Sequence, residues 1–368
     1  MSNRKKLLHY KSFLQILLFF LLMFLLLLPT FQVVKASAQI KVIAIKFEGT
    51  YEYLLSDRGV LITDPVWTGD LSGNVTKNRP ACYKKYSQMI VEADISGSGI
   101  TLPVQVKVTL SASFLGSTII PSTTKTFTVN NWNDQDYVNL TFNSSYLLNS
   151  VCHYYDIPFN WSFQAYINGT WVSIGNQTTH HIIYTTMSAP ISISGMQYLW
   201  VETIRQANIW ANYASTSLEV SQKITDRIYN SGLWYDGTRS HSVYPYNTFH
   251  LSWFLNDWSW GDCQDFSSFY SVLCRNLGVD TKSDIIDGSF YTKPVLPVLY
   301  SQWGVQHWNF HQVGWYTSTS KVYDPTIKVN QSSPFIPMNL IRDTEYKGYL
   351  YYSGTWSPRT PSYFSNVD

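Results

Sequence analysis

From Ile40 to about Ser188 apolar and polar residues alternate with a period of two, and that regularity commits this half of the chain to sheet. Val104–Leu110, Thr126–Val129 and Trp171–Ile174 all follow it. Successive side chains of a strand point to opposite faces, so such segments bury one face and wet the other. They are rich in Val, Ile, Thr and Tyr, and clusters of Gly, Asn, Asp and Ser separate them. Short strands with turns every 8–12 residues or so predict an antiparallel sandwich of immunoglobulin-like type. Cys82 and Cys152 both fall in this half and are expected to pair as a disulfide.

The pattern changes after Met187-Ser188-Ala189-Pro190. Tyr198–Ala214 and Ser217–Tyr229 carry helical spacing; in the second, Leu218, Val220, Ile224 and Ile228 fall near one face. A loop rich in Tyr, Trp and Ser follows, up to Trp260. A third helix is expected over Cys263–Leu277, stopped by Gly278, and then strands at Thr281–Ile286, Trp308–Tyr316 and Lys321–Val329. Helices followed by an antiparallel sheet give an α+β fold. About 330 residues beyond the N-terminal segment exceed one ordinary core, so the expected division is 1–38, 39–190 and 191–368, the last with a C-terminal extension.

Residues 1–38 read as an export signal. Arg4, Lys5, Lys6 and Lys11 precede an apolar run from Ile16 to Leu28, and Ala36-Ser37-Ala38 suits a signal peptidase. The alternative is an uncleaved anchor, since the run approaches the roughly 20 residues that span a bilayer. Five of the 26 Lys and Arg residues lie here, with no acid; the remaining 21 face 24 acids, a formal charge of −3. No basic excess is left to neutralise phosphates, which excludes nucleic acid as an expected partner. Sequons at Asn74, Asn139, Asn143, Asn160, Asn168, Asn176 and Asn330 suit a secreted or cell-surface glycoprotein.

Chemistry concentrates in Trp260–Asp280. Gly261 and Asp262 turn the chain and Cys263 opens the helix, where backbone N–H groups and the positive end of the dipole favour a thiolate and could bind an oxyanion. Phe266, Phe269, Tyr270, Leu273 and Leu277 recur at three- and four-residue spacing and would bury the helix against the sheet.

This stretch resembles the transglutaminase-like core of the papain-like thiol enzymes: Gly261, Cys263, Asp265, Phe266 and Ser267, then Arg275, Gly278 and Val279. Phe310–Trp315 and Val322–Thr326 resemble the family's second block, a His on one strand and an Asp-Pro on the next. The resemblance covers the C-terminal half only. It implies a Cys263–His311–Asp324 triad that forms a thioester with a peptide or protein amide, resolved by water in a peptidase or amidase and by a lysine amine in a crosslinker. Hydrolysis is favoured, because no dedicated amine site or calcium loop is visible. A cell-surface module that keeps the fold without catalysis is the competing class. No cofactor or metal is implied. The family often places Trp two residues after the His; here Val313 stands there.

His307 shares a strand face with His311 and is the reserve candidate. A two-residue turn at Thr317-Ser318 would set His311 directly opposite Asp324, which favours His311. Trp234, Trp258 and Trp260 are candidate indole donors to an oxyanion. Cys274 lies three turns after Cys263, about 16 Å along a helix, and is expected to be structural. His180 and His181 are adjacent on a strand and would face opposite ways, so they form no ligand pair. The acidic loop Asn130–Asp136 lacks EF-hand spacing and is expected to be a surface turn.

Overall fold

The computed structural model describes residues 38–367 except 49–54, 58–59, 63–66, 133–139, 148, 197, 244–247, 331 and 364–365. The signal-like segment before Ala38 and most of the Asn130–Asp136 loop lie outside the described residues. Among the described residues no helix is long and apolar enough to cross a membrane.

The alternating half forms two five-stranded sheets. The first runs β8 (Leu140–Tyr146), β5 (Gln88–Ser98), β1 (Gln39–Glu48), β2 (Trp67–Gly69), β3 (Val75–Asn78). The second runs β4 (Ala81–Lys84), β10 (Thr170–Thr186), β9 (Cys152–Ile167), β6 (Val104–Phe114), β7 (Ser117–Val129). Every pairing within these two sheets is antiparallel except β4 with β10. Val42, Ile45, Phe47, Val91 and Ala93 of one sheet close on Val106, Val108, Leu110, Trp161 and Phe163 of the other, all buried. The period-two pattern is thus spent on one shared apolar layer.

The expected disulfide does not form. Cys82 pairs across to Tyr184 and Cys152 to Thr185, so β10 separates them. Two strand spacings exceed the 7 Å or so that a disulfide tolerates between Cα atoms. Tyr184 and Thr185 are also consecutive, so the two cysteines point to opposite faces. Both are buried free thiols. His180 is exposed and ion-paired with Asp156 at 2.7 Å, while His181 is buried against Phe47 and Phe159. The two rings do face apart.

Beyond residue 190 come α1 (Val201–Trp210), α2 (Ser217–Tyr229), α3 (Leu251–Asp257) and α4 (Cys263–Asn276). The first is shorter than its spacing predicted, because Leu199–Trp200 is extended and pairs with Leu55–Ser56. The third was expected to be loop; its seven residues, Leu251–Asp257, are too few to carry an apolar stripe that shows a period. Helix α4 ends where foreseen. Gly278 takes φ +76°, and its N–H and that of Val279 bond to the carbonyls of Arg275 and Cys274. A left-handed residue costs glycine little, which makes it a good helix terminator.

Helix α4 packs on an antiparallel sheet whose order is β14 (Met338–Leu340), β13 (Lys321–Tyr323), β12 (Gln306–Tyr316), β11 (Thr281–Thr292), β15 (Tyr351–Gly354). Ser357–Pro358 also pairs with β11. The expected strand Lys321–Val329 stops at Tyr323, and Ile327–Lys328 joins a separate pair with Leu296–Pro297. Pro325 has no N–H for a ladder, and the Asp324 side chain takes the Thr326 N–H at 2.9 Å, which turns the chain. The whole is an α+β arrangement, mostly sheet with few helices.

Candidate active site

Cys263 is the first residue of α4, and its position is fixed by a reciprocal cap. The Asp262 carboxylate accepts from the Asp265 N–H at 2.9 Å, and the Asp265 carboxylate accepts from the Asp262 N–H at 3.2 Å. Such a cap is worth roughly 1 kcal/mol and holds the entry angle of the helix. Trp260-Gly261, just before it, pairs with Trp234-Tyr235. Behind the cap, Asp265 is fully buried and also accepts from the Ser240 and Ser242 hydroxyls and from the His241 backbone. The His241 ring lies between Asp265 (3.1 Å) and Asp257 (3.2 Å) and stacks on Trp260.

His311 and Asp324 are both fully buried, and Nε2 of the imidazole meets Oδ2 of the carboxylate at 2.8 Å. Among the described residues Nδ1 is buried without a hydrogen-bond partner. The ring packs edge-on against Trp308 at 4.3 Å. The backbone N–H of Gln312, the residue after His311, favours the Cys263 thiolate, so the strand that carries the imidazole also runs beside the thiol. His307 lines the same cleft as Cys263, but its ring is exposed, bonded to the Ser289 hydroxyl at 2.6 Å, and lies against Tyr291.

Two expectations about this site need correction. His311 is not directly opposite Asp324, because the ladder pairs Gly314 with Tyr323 and Tyr316 with Lys321. The turn is the four-residue Thr317–Ser320, two residues longer than expected. A shift of two conserves the face, so the side chains still meet, diagonally and beyond the end of β13. The second correction concerns the thiol. Burial pushes Cys263 well above its ordinary value, and the charges of Asp262, Asp324 and Asp265 add to that push while the Gln312 amide opposes it. The helix terminus alone had suggested a thiolate. Three carboxylates and desolvation outweigh it, and the resting group is a neutral thiol.

Tyr235 and Tyr346 belong to the cluster and were not foreseen. Tyr235 is buried beside the thiol and lines the same cleft, and burial and the Cys263 charge push its phenol well above its ordinary value. Tyr346 is fully buried and donates to Asp324 Oδ2 at 2.7 Å. Neither stands in a motif: Tyr346 lies 22 residues past Asp324, in the C-terminal extension. Asp262 did carry a local signal, since Asp-x-x-Asp at the head of an apolar helix is a capping pattern.

Cys263 opens at the base of a cleft of about 470 Å³, lined by Tyr235, Asp236, Thr238, Tyr300, Trp303 and Trp308 among others. Of the three tryptophans singled out, Trp258 packs on Phe254 and Phe269, and Trp260 is covered by His241 and Arg239. Trp234 stacks on Tyr300, a lining residue. Cys274 is buried on α4. Among the described residues no three His, Cys, Asp or Glu side chains gather as a metal site.

No family model matches the chain, and no curated protein does. Among solved structures, the red sea bream transglutaminase is similar over 66% of this chain and 49% of that one, at 12% identity and a TM-score of 0.35. A candidate protease from Parabacteroides distasonis ATCC 8503 is similar over 69% and 66%, at 9% identity and a TM-score of 0.20. The chain thus spans about half the length of the first and 66% of the second.

Proposed function

We propose that this chain is an exported, transglutaminase-like thiol enzyme that cleaves or transfers peptide or protein amides, with the N-terminal sandwich as an immunoglobulin-like accessory domain at the cell surface. One observation carries the catalytic assignment. The His311–Asp324 hydrogen bond uses Nε2, leaves Nδ1 unpartnered, and sits next in the chain to the amide that contacts Cys263.

The chemistry follows from that arrangement. With a neutral thiol at rest, His311 Nδ1 acts as a general base, taking the Sγ proton as sulfur attacks the amide carbonyl. The Cys263 and Gln264 N–H groups, which the cap does not use, face the developing oxyanion. The C–N bond breaks as the imidazolium returns its proton to the leaving amine, and a thioester remains. Water, deprotonated by the same imidazole, releases the acid and restores the thiol. A lysine amine in place of water would make the crosslinked product. Asp324 keeps the proton on Nε2 throughout and does not take it.

The test compares iodoacetamide labelling of Cys263 across pH in the full-length protein, Cys263→Ser and His311→Ala, alongside turnover of fluorescent casein with and without a primary amine. We expect labelling at neutral pH to fall at least about tenfold without His311, and casein to be cleaved. Amine incorporation instead of cleavage would assign the crosslinking branch. Labelling indifferent to His311, with no turnover, would identify a non-catalytic surface module.

A further inference from the structure

The Asp324 carboxylate accepts more than the imidazole. Its Oδ1 takes the Thr326 N–H, while Oδ2 receives both His311 Nε2–H at 2.8 Å and the Tyr346 hydroxyl at 2.7 Å. Tyr346 arrives from outside the helix and sheet that carry the other groups. It ends a five-residue π-helical turn, Arg342–Tyr346, in the C-terminal extension. Single π turns are rare and recur at functional sites because they re-aim a side chain.

The turn is fastened on several sides. Arg342 bonds Asp284 Oδ1 at 3.0 Å, Asp284 being fully buried on β11, and the Arg359 carbonyl at 3.0 Å. Trp356 donates to Asp343 at 3.2 Å, and the Ile341 N–H is taken by Glu345 at 2.7 Å. A segment held in this way presents the phenol in one orientation. The ionisable groups around the Asp324–Tyr346 contact are His311 on β12, Cys263 on α4, Asp284 on β11, Tyr229 on α2 and Tyr235 beside the thiol. Burial, then the Asp324 charge, push the phenol well above its ordinary value, so it stays protonated and donates to the carboxylate.

We propose that Tyr346 is a positioning residue for the catalytic pair: its hydroxyl pins Asp324 Oδ2 toward His311 Nε2 and shares that oxygen's charge, so the carboxylate orients the imidazole without binding the imidazolium too tightly. The proposal rests on the Cys263–His311–Asp324 assignment above. Without the hydroxyl, a single donor would face an anionic oxygen, and the imidazolium would be stabilised more strongly. His311 would then be unavailable as a base until a higher pH.

The experiment is the pH profile of Cys263 alkylation in the full-length protein, Tyr346→Phe and His311→Ala, with melting temperatures measured in parallel. In Tyr346→Phe the acid limb should move up by about one pH unit, lowering the rate at pH 6 by up to about tenfold. The imidazole Nε2 proton, observed by NMR in the same sample, should move downfield as its acceptor becomes more basic. A variant that folds but keeps the wild-type limb and the wild-type proton shift overturns the role of Tyr346 alone. If His311→Ala itself leaves the profile unchanged, the pair and the proposal fall together. Should Tyr346→Phe melt too low for the profile, the NMR proton read below its melting temperature decides.

Discussion

His311 Nε2 and Asp324 Oδ2 lie 2.8 Å apart although their residues are not partners in the strand ladder. The contact is made past the end of β13, where Asp324 has left the sheet and its own N–H bonds to the Pro337 carbonyl. The imidazole is thus oriented by a turn and not by strand register.

Asp324→Asn should keep the fold and lose the chemistry. The amide retains the shape and can still accept from Tyr346, but it no longer fixes the Nε2–H tautomer. Casein turnover is expected to fall by about 10²–10⁴-fold with an unchanged circular dichroism spectrum. Turnover within a few-fold of wild type would remove Asp324 from the mechanism.

Asp262 is pushed up to about 7 by burial first and by the charge of Asp265 second. Above that pH it is an anion beside the sulfur; below it, the carboxyl is neutral. Asp262→Asn keeps an oxygen for the helix cap and removes the charge. Labelling of Cys263 should therefore quicken at pH 8–9 and change little at pH 5.5. Equal effects at both pH values would mean that the cap, not the charge, is being read.

His241 is expected to tie stability to pH. Burial works against its charged form, but the hydrogen bonds to Asp265 and Asp257 outweigh that, and its titration lies above the ordinary value of 6.5. A raised pKa contributes stability below the unfolded-state value and loses it as pH rises through the folded-state value. The melting temperature should fall between pH 6 and pH 9 in the wild type, and His241→Gln should flatten that slope. A slope that survives the substitution would assign the dependence to other groups.

Gly314 lets α4 approach the sheet. A methyl there would run into the Tyr270 ring and crowd the Tyr323 carbonyl, and Tyr270 is fully buried and stacked on Tyr323. Gly314→Ala should cost about 1–3 kcal/mol in urea unfolding, as overpacking does. It should also slow Cys263 labelling by displacing the helix. A cost below about 0.5 kcal/mol would show that the ring can yield.

Local order was legible in the residues themselves. Period two marked the sheets of the first half, helical spacing and Gly278 bounded α4, and Gly261, Cys263 and Asp265 marked the head of that helix. These are short-range effects: steric preference, face alternation and capping act over a few residues, so a window of sequence contains them. Strand parity put both His307 and His311 on the Asp324 face, and the choice between them rested on a turn at Thr317-Ser318 that is two residues shorter than the Thr317–Ser320 turn that forms. An even shift keeps the face, which is why His311 and Asp324 still meet.

What needed the tertiary structure were quantities set by groups distant in the chain. Cys82 and Cys152 share a compartment in sequence, yet β10 stands between them. The state of the Cys263 thiol depends on burial and on Asp324, 61 residues away by number, so a helix terminus read alone gave the wrong direction. Tyr346 reaches Asp324 from a turn 22 residues further along the chain, in which Arg342 bonds Asp284 on β11. Electrostatics and packing sum over neighbours in space, and sequence spacing does not record which neighbours those are.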